Sequence, residues 1–127
     1  MNRNSANKVI LVGHLGNQPE IRFTTNDIMS ATLNLATNSM WRDDEGDFQE
    51  RTDWHRVVVW RNLADYAKNL KKGQMLYIEG HLQSREWTDK ENNKHFITEV
   101  IADALTTLGP RKKEESNEKS DEPEDQS

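Results

Sequence analysis

Short runs of alternating apolar and polar residues, separated by turn-rich stretches, run along most of the chain. Lys8 to Leu15 is the first strand-like run, and Gly16-Asn17-Gln18-Pro19 breaks it. From Met29 to Met40, Ala31, Leu33 and Leu35 fall on one face, with Thr32 and Asn34 on the other. Asp43-Asp44-Glu45-Gly46-Asp47 reads as a polar hairpin loop. Trp54 to Trp60, carrying Val57, Val58 and Val59, is the strongest strand signal. Between Asn62 and Lys72 the period changes: Leu63, Tyr66, Ala67 and Leu70 stand at i, i+3, i+4 and i+7, which predicts one helix that Gly73 terminates. Met75 to Trp87 predicts a further strand, bent at Gly80. Asp89 to Lys94 reads as a turn, and Phe96 to Leu108 as the last strand.

Five strands with a single helix between the third and fourth is the layout of an all-β OB-fold barrel. Small SH3-like barrels and other mixed domains give similar counts. From Arg111 onward there is no apolar side chain, so residues 111–127 are expected to be a disordered acidic tail on a folded domain of residues 1–110.

Charge changes the picture less than the total implies. The net charge of -5 argues at first against a polyanionic partner. Four Lys/Arg and seven Asp/Glu lie in residues 111–127, however, leaving 13 and 15 in the first 110. A near-neutral domain can still present one basic face. The mean hydropathy is -1.00, and the longest apolar run, Val9 to Val12, is far below the roughly 18–20 residues that span a bilayer. No membrane partner is expected. The first residues lack the apolar stretch of a signal peptide, which predicts a cytoplasmic protein. With no cysteine, disulfides and thiolate metal sites are excluded.

The four tryptophans supply the candidate chemistry. Trp41 precedes Arg42, Trp54 lies two residues before Arg56, Trp60 precedes Arg61, and Trp87 follows Arg85 by two. Residues two apart on a strand share a face. Trp54, Arg56, Val58 and Trp60 therefore share one face and His55, Val57 and Val59 the other. The valines suit the core, which leaves the tryptophans outside, with Trp54 and Trp60 about 20 Å apart. The same parity groups Gln83, Arg85 and Trp87 opposite Leu82. Exposed indoles beside guanidiniums fit unpaired nucleic acid. Every base has an aromatic face, so stacking tolerates any sequence, and arginine pairs with phosphate or stacks itself. A duplex hides its base faces.

Other chemistry fares worse. His14, His55, His81 and His95 lack zinc-like spacing, and the acids around Gly46 lack the twelve-residue calcium-loop pattern. No Gly-rich phosphate loop follows a strand, and no nucleophile–base set or magnesium-holding acidic cluster points to an enzyme. No cofactor or metal is expected.

Beyond these features, Asn7 to Gly16, Pro19-Glu20-Ile21-Arg22, Leu35-Ala36-Thr37, Thr52 to Val58, Lys72-Gly73, Tyr77-Ile78-Glu79-Gly80 and Trp87-Thr88-Asp89 resemble, in order and spacing, bacterial single-stranded DNA-binding proteins over roughly residues 6–108. The resemblance implies an OB-fold homotetramer that wraps single-stranded DNA during replication, recombination and repair, associated with the nucleoid. It implies base stacking by Trp41, Trp54, Trp87 and Trp60, the last at a position where phenylalanine is common. It implies DNA-path cations at Lys8, Arg56, Lys72 and Arg85, and subunit interfaces at His55 and Tyr77. Gln83 and Glu86 stand where the family is often basic, and Arg61 compensates. The tail departs further: it ends Glu124-Asp125-Gln126-Ser127, without the family's acidic stretch closed by proline and phenylalanine, through which replication and repair proteins are recruited. An alternative is an OB-fold assembly module of a primosome-like complex, using the tryptophan face for protein contacts. The adjacent arginines favour nucleic acid.

Overall fold

The computed structural model describes residues 4–109; the expected tail lies outside them. Six strands and one helix follow in order: β1 Val9–Leu15, β2 Glu20–Phe23, β3 Met29–Arg42, β4 Phe48–Trp60, α1 Asn62–Ala67, β5 Met75–Thr88 and β6 Lys94–Thr107. The sheet runs β1-β5-β6-β4-β3-β2, and β1 also pairs with β3. That extra pairing, His14 with Ala36 and Leu15 with Leu35, closes β1, β5, β6, β4 and β3 into a five-stranded barrel. This is the expected all-β architecture, with the helix between the third and fourth barrel strands.

Period-2 patterning put the right residues inside. Ala31, Leu33 and Leu35 of β3 and Val57 and Val59 of β4 are fully buried, joined by Leu15, Leu76 and Ile78. In the β3–β4 ladder Leu33 faces Val57 and Ala31 faces Val59, so both strands turn one apolar row to the same core. Gly80 lies where β5 shifts register against β6. A Cβ there would stand 2.1 Å from the Ile101 carbonyl oxygen, so only glycine lets the strands approach so closely.

Three details differ from the sequence expectation. β2 was not anticipated. It is four residues long, only Ile21 is partly buried, and its pairing to β3 rather than its own pattern makes it a strand. The helix is shorter than residues 62–72. After Lys68 N–H donates to Ala64, Leu70 N–H donates to Ala67, three residues back, so the chain tightens into a turn that still buries Leu70. Gly73 therefore does not cap the helix; it donates to the Leu15 carbonyl at 2.7 Å and leads into β5. The third difference is length: β3 and β4 continue beyond the barrel as a ribbon through Trp41 and Phe48. In its connecting loop Asp43 Oδ1 accepts from the N–H groups of Glu45 and Asp47. Asp89 repeats this at the β5–β6 turn, accepting from Glu91 and Asn93.

Candidate nucleic-acid interface

All four tryptophans are exposed, at 40–61% of their surface. In β4, Trp54 and Trp60 point outward with Arg56 half-buried between them, and Val57 and Val59 have no exposure behind them. Parity separates these residues into core and surface; Val58, on the outer face, is covered instead by the groove side chains around it.

The barrel then adds β5 and β6 to the β4 face. β6 runs parallel to β4, with Val57 beside Val100 and Val58 beside Ile101, which carries Glu99 up to Arg56. In the β5–β6 ladder Gln83 faces Glu99, so Arg85 arrives from the other side. Glu99 is 5% exposed. Its Oε2 accepts from Arg56 Nε at 2.6 Å, and Arg85 donates from Nε to Oε1 at 3.1 Å and from Nη2 to Oε2 at 3.2 Å. Burial alone would raise the Glu99 carboxyl; the hydrogen bonds and charges of Arg85 and Arg56 outweigh it, so the group lies below the usual carboxylate range. One carboxylate thereby aligns two guanidiniums, each with further N–H donors left over. Arg22 and Trp60 share with this triad the lining of a groove of about 620 Å³.

A second hollow, about 380 Å³, lies at Trp54, lined by Gly16, Asn17 and Asn34. A Cβ on Gly16 would be 2.3 Å from Trp54 Cζ3, so the indole rests on bare backbone. Gln18 Oε1, in the same loop, accepts from the Lys72 N–H at 3.1 Å. This ties Lys72 to the Trp54 end of the face.

Trp87 has a partner that strand parity did not show. His95 stands opposite it in the ladder, its ring stacked at 4.5 Å and 21°, and His95 Nε2 meets Asp89 Oδ2 at 2.8 Å. One indole face is covered and held, leaving the other for a ligand. Residues equidistant from the Asp89–Asn93 turn pair across the hairpin, and that count was the available signal for His95. The same count sets Glu99 opposite Gln83, but only the β4–β6 register brings it to Arg56, and Arg22 had no signal, because β2 was not anticipated.

Not every expected residue joins the groove. Trp41 sits five positions from Ala36, the partner of Trp54, and so projects from the opposite side of the ribbon. Lys8 is paired with Glu79, which also accepts from Tyr77 Oη at 3.1 Å, on the outer β1–β5 face. His55 points to the inward side of β4, with Nε2 2.9 Å from Thr37 Oγ1. His55 and Tyr77 therefore lie on different faces. Asp43, Glu45 and Asp47 bring carboxylate oxygens within 4.8 Å of one another. The Asp43 oxygens are already engaged by two backbone N–H groups and by Gln49, which fits a turn.

Comparison with known proteins bears on the family and the fold. Residues 6–108 match the model of the single-strand binding protein family. Single-stranded DNA-binding protein 1 of Xylella fastidiosa is 44% identical over 115 residues, covering 89% of this chain and 83% of that protein. Its namesake in Chlorobaculum tepidum is 46% identical over 107 residues, covering 83% of this chain and 66% of that one. Among solved structures, the Plasmodium falciparum SSB complex with ssDNA superposes with a TM-score of 0.75 at 37% identity, over 86% of this chain and all of that one. A deletion mutant of the Thermus aquaticus single-stranded DNA binding protein gives 0.73 at 31%, over 84% of this chain and 52% of that one.

Proposed function

Because the chain belongs to the single-strand binding protein family, we propose that its barrel, within residues 1–110, binds single-stranded DNA through stacking on Trp41, Trp54, Trp60 and Trp87 and phosphate pairing by Arg56, Arg61, Lys72 and Arg85. The carrying observation is the outer face of β4, where two exposed indoles flank Arg56 over a fully buried valine row. Stacking accepts any base and needs its face uncovered, so the surface takes single strands of any sequence. Trp54 and Trp41 project from opposite sides of one ribbon, so a strand that stacks on both must pass around its edge. Binding of this kind keeps strands open and protected during replication, recombination and repair in the cytoplasm, at the nucleoid. The role of a protein-assembly module is not favoured, since the groove places three arginines beside Trp60. Lys8, neutralised by Glu79, contributes to the DNA path only if that pair opens.

Titration with oligo-dT is expected to quench tryptophan fluorescence. Plotted as log affinity against log salt, binding should fall with a slope of about -0.7 per phosphate contacted. Unchanged fluorescence at low salt, with folding confirmed by circular dichroism, would refute this function.

The same family membership leads us to propose a homotetramer. Ile10, Val12 and Met75 are exposed beside Tyr77 on the outer β1–β5 face, an apolar surface suited to a second copy; His55 we place at a further subunit contact. Sedimentation equilibrium should give four times the chain mass of 14.8 kDa. A monomer at micromolar concentration would rule this assembly out.

A further inference from the structure

Among the described non-glycine residues with positive φ, Arg61 is the one with a long side chain, at φ 57° and ψ -120°. The other positive-φ residues that are not glycine are Asn4, Asp27 and Asn92. Their short polar side chains tolerate the left-handed region. Arginine has no such tolerance, and a ψ of -120° lies outside that region altogether, where only glycine is comfortable.

The fold explains the conformation but not the residue. Arg61 N–H still donates to Met29 across the β3–β4 ladder at 2.8 Å, while its carbonyl already accepts from Asp65 in the first turn of α1 at 3.0 Å. Strand becomes helix within one residue, and the sharp reversal falls there. Glycine would make that turn without strain.

The side chain does nothing visible for the fold. It is exposed, and among the described residues it enters no ion pair and no side-chain hydrogen bond. Arg56 and Arg85 share Glu99, and Lys8 is held by Glu79. Arg61 therefore carries a full, uncompensated positive charge directly after the groove-lining Trp60.

We propose that arginine stands at this glycine-like position because its guanidinium meets the phosphates of a strand stacked on Trp60, so that folding stability is given up for affinity. This rests on the single-stranded DNA-binding reading and adds to it a trade-off located at one residue.

The trade-off predicts effects of opposite sign, measured on the full chain. Arg61→Gly should raise the thermal midpoint by about 4–8 °C, the shift for roughly one kcal/mol in a domain of this size. It should also weaken oligo-dT binding about tenfold at low salt and reduce the salt slope by about 0.7. Arg61→Lys, which keeps both charge and strain, should leave the midpoint and the slope near those of the parent. An unchanged slope in Arg61→Gly, with the parent binding normally, would overturn the inference and leave the function standing. A lowered midpoint would also overturn it, because the side chain would then be supporting the fold. If the parent chain fails to bind oligo-dT, the inference falls together with the reading beneath it.

Discussion

Trp54→Ala is expected to weaken oligo-dT binding by about 1–3 kcal/mol, roughly 5- to 150-fold, with little change in folding stability. The indole is 61% exposed, so its removal takes little apolar surface from the core. What disappears is a stacking plate at a defined position. The ring rests on the Gly16 backbone, beside Asn34 in the adjoining strand, and is thus oriented before any base arrives. Because stacking reads only the aromatic face, the loss should be nearly equal for oligo-dT, oligo-dC and mixed sequences. A loss confined to one base would mean that the site reads base edges, and tolerant stacking would have to be abandoned. Fluorescence titration of each oligonucleotide, together with a urea melt of the variant, measures both halves of the expectation.

The reverse separation is expected for Leu33→Ala. Leu33 is fully buried, faces Val57 across the β3–β4 ladder and belongs to the hydrophobic core cluster. Truncating it should cost about 2–5 kcal/mol, through lost burial and the cavity left behind. A domain of this size has about 5–15 kcal/mol in total, so the urea midpoint should drop by a large fraction. Whatever remains folded should bind with the parent's salt slope, since Leu33 lies on the side of β3 away from Thr32 and Asn34. A changed slope in the folded fraction would show that the core and the binding face are coupled more closely than strand parity implies.

These two residues mark how far the sequence could be read. Leu33 and Trp54 were both assigned to their sides by alternation, because successive side chains on a strand must point to opposite faces and only one face can be dry. Arg56, Trp60, Arg85 and Trp87 were placed outward by the same rule. The rule fails where the strand is too short to alternate, as in β2, or where the helical period continues past the last helical hydrogen bond, as after Ala67. It also runs within one strand only, so it could not show that Trp41 lies across the ribbon from Trp54 until the β3–β4 register was known.

By itself, then, the sequence determined the barrel's strands, the inner and outer rows of β3 and β4 and the outward row of β5, and the presence of exposed indoles next to cations. Those are local properties, set by residue type and a spacing of two; Leu82, opposite that β5 row, is nevertheless 48% exposed. Only the tertiary structure decided which cations are free and which are held. Glu99 is 43 positions from Arg56 and 14 from Arg85, and they meet because β6 returns parallel to β4 and antiparallel to β5. That buried carboxylate is met by guanidiniums from two different strands, an arrangement that no single strand can make. Arg61 is the complementary case: the turn from β4 into α1 imposes a backbone suited to glycine, and only the folded chain shows that a charged side chain is kept there against it.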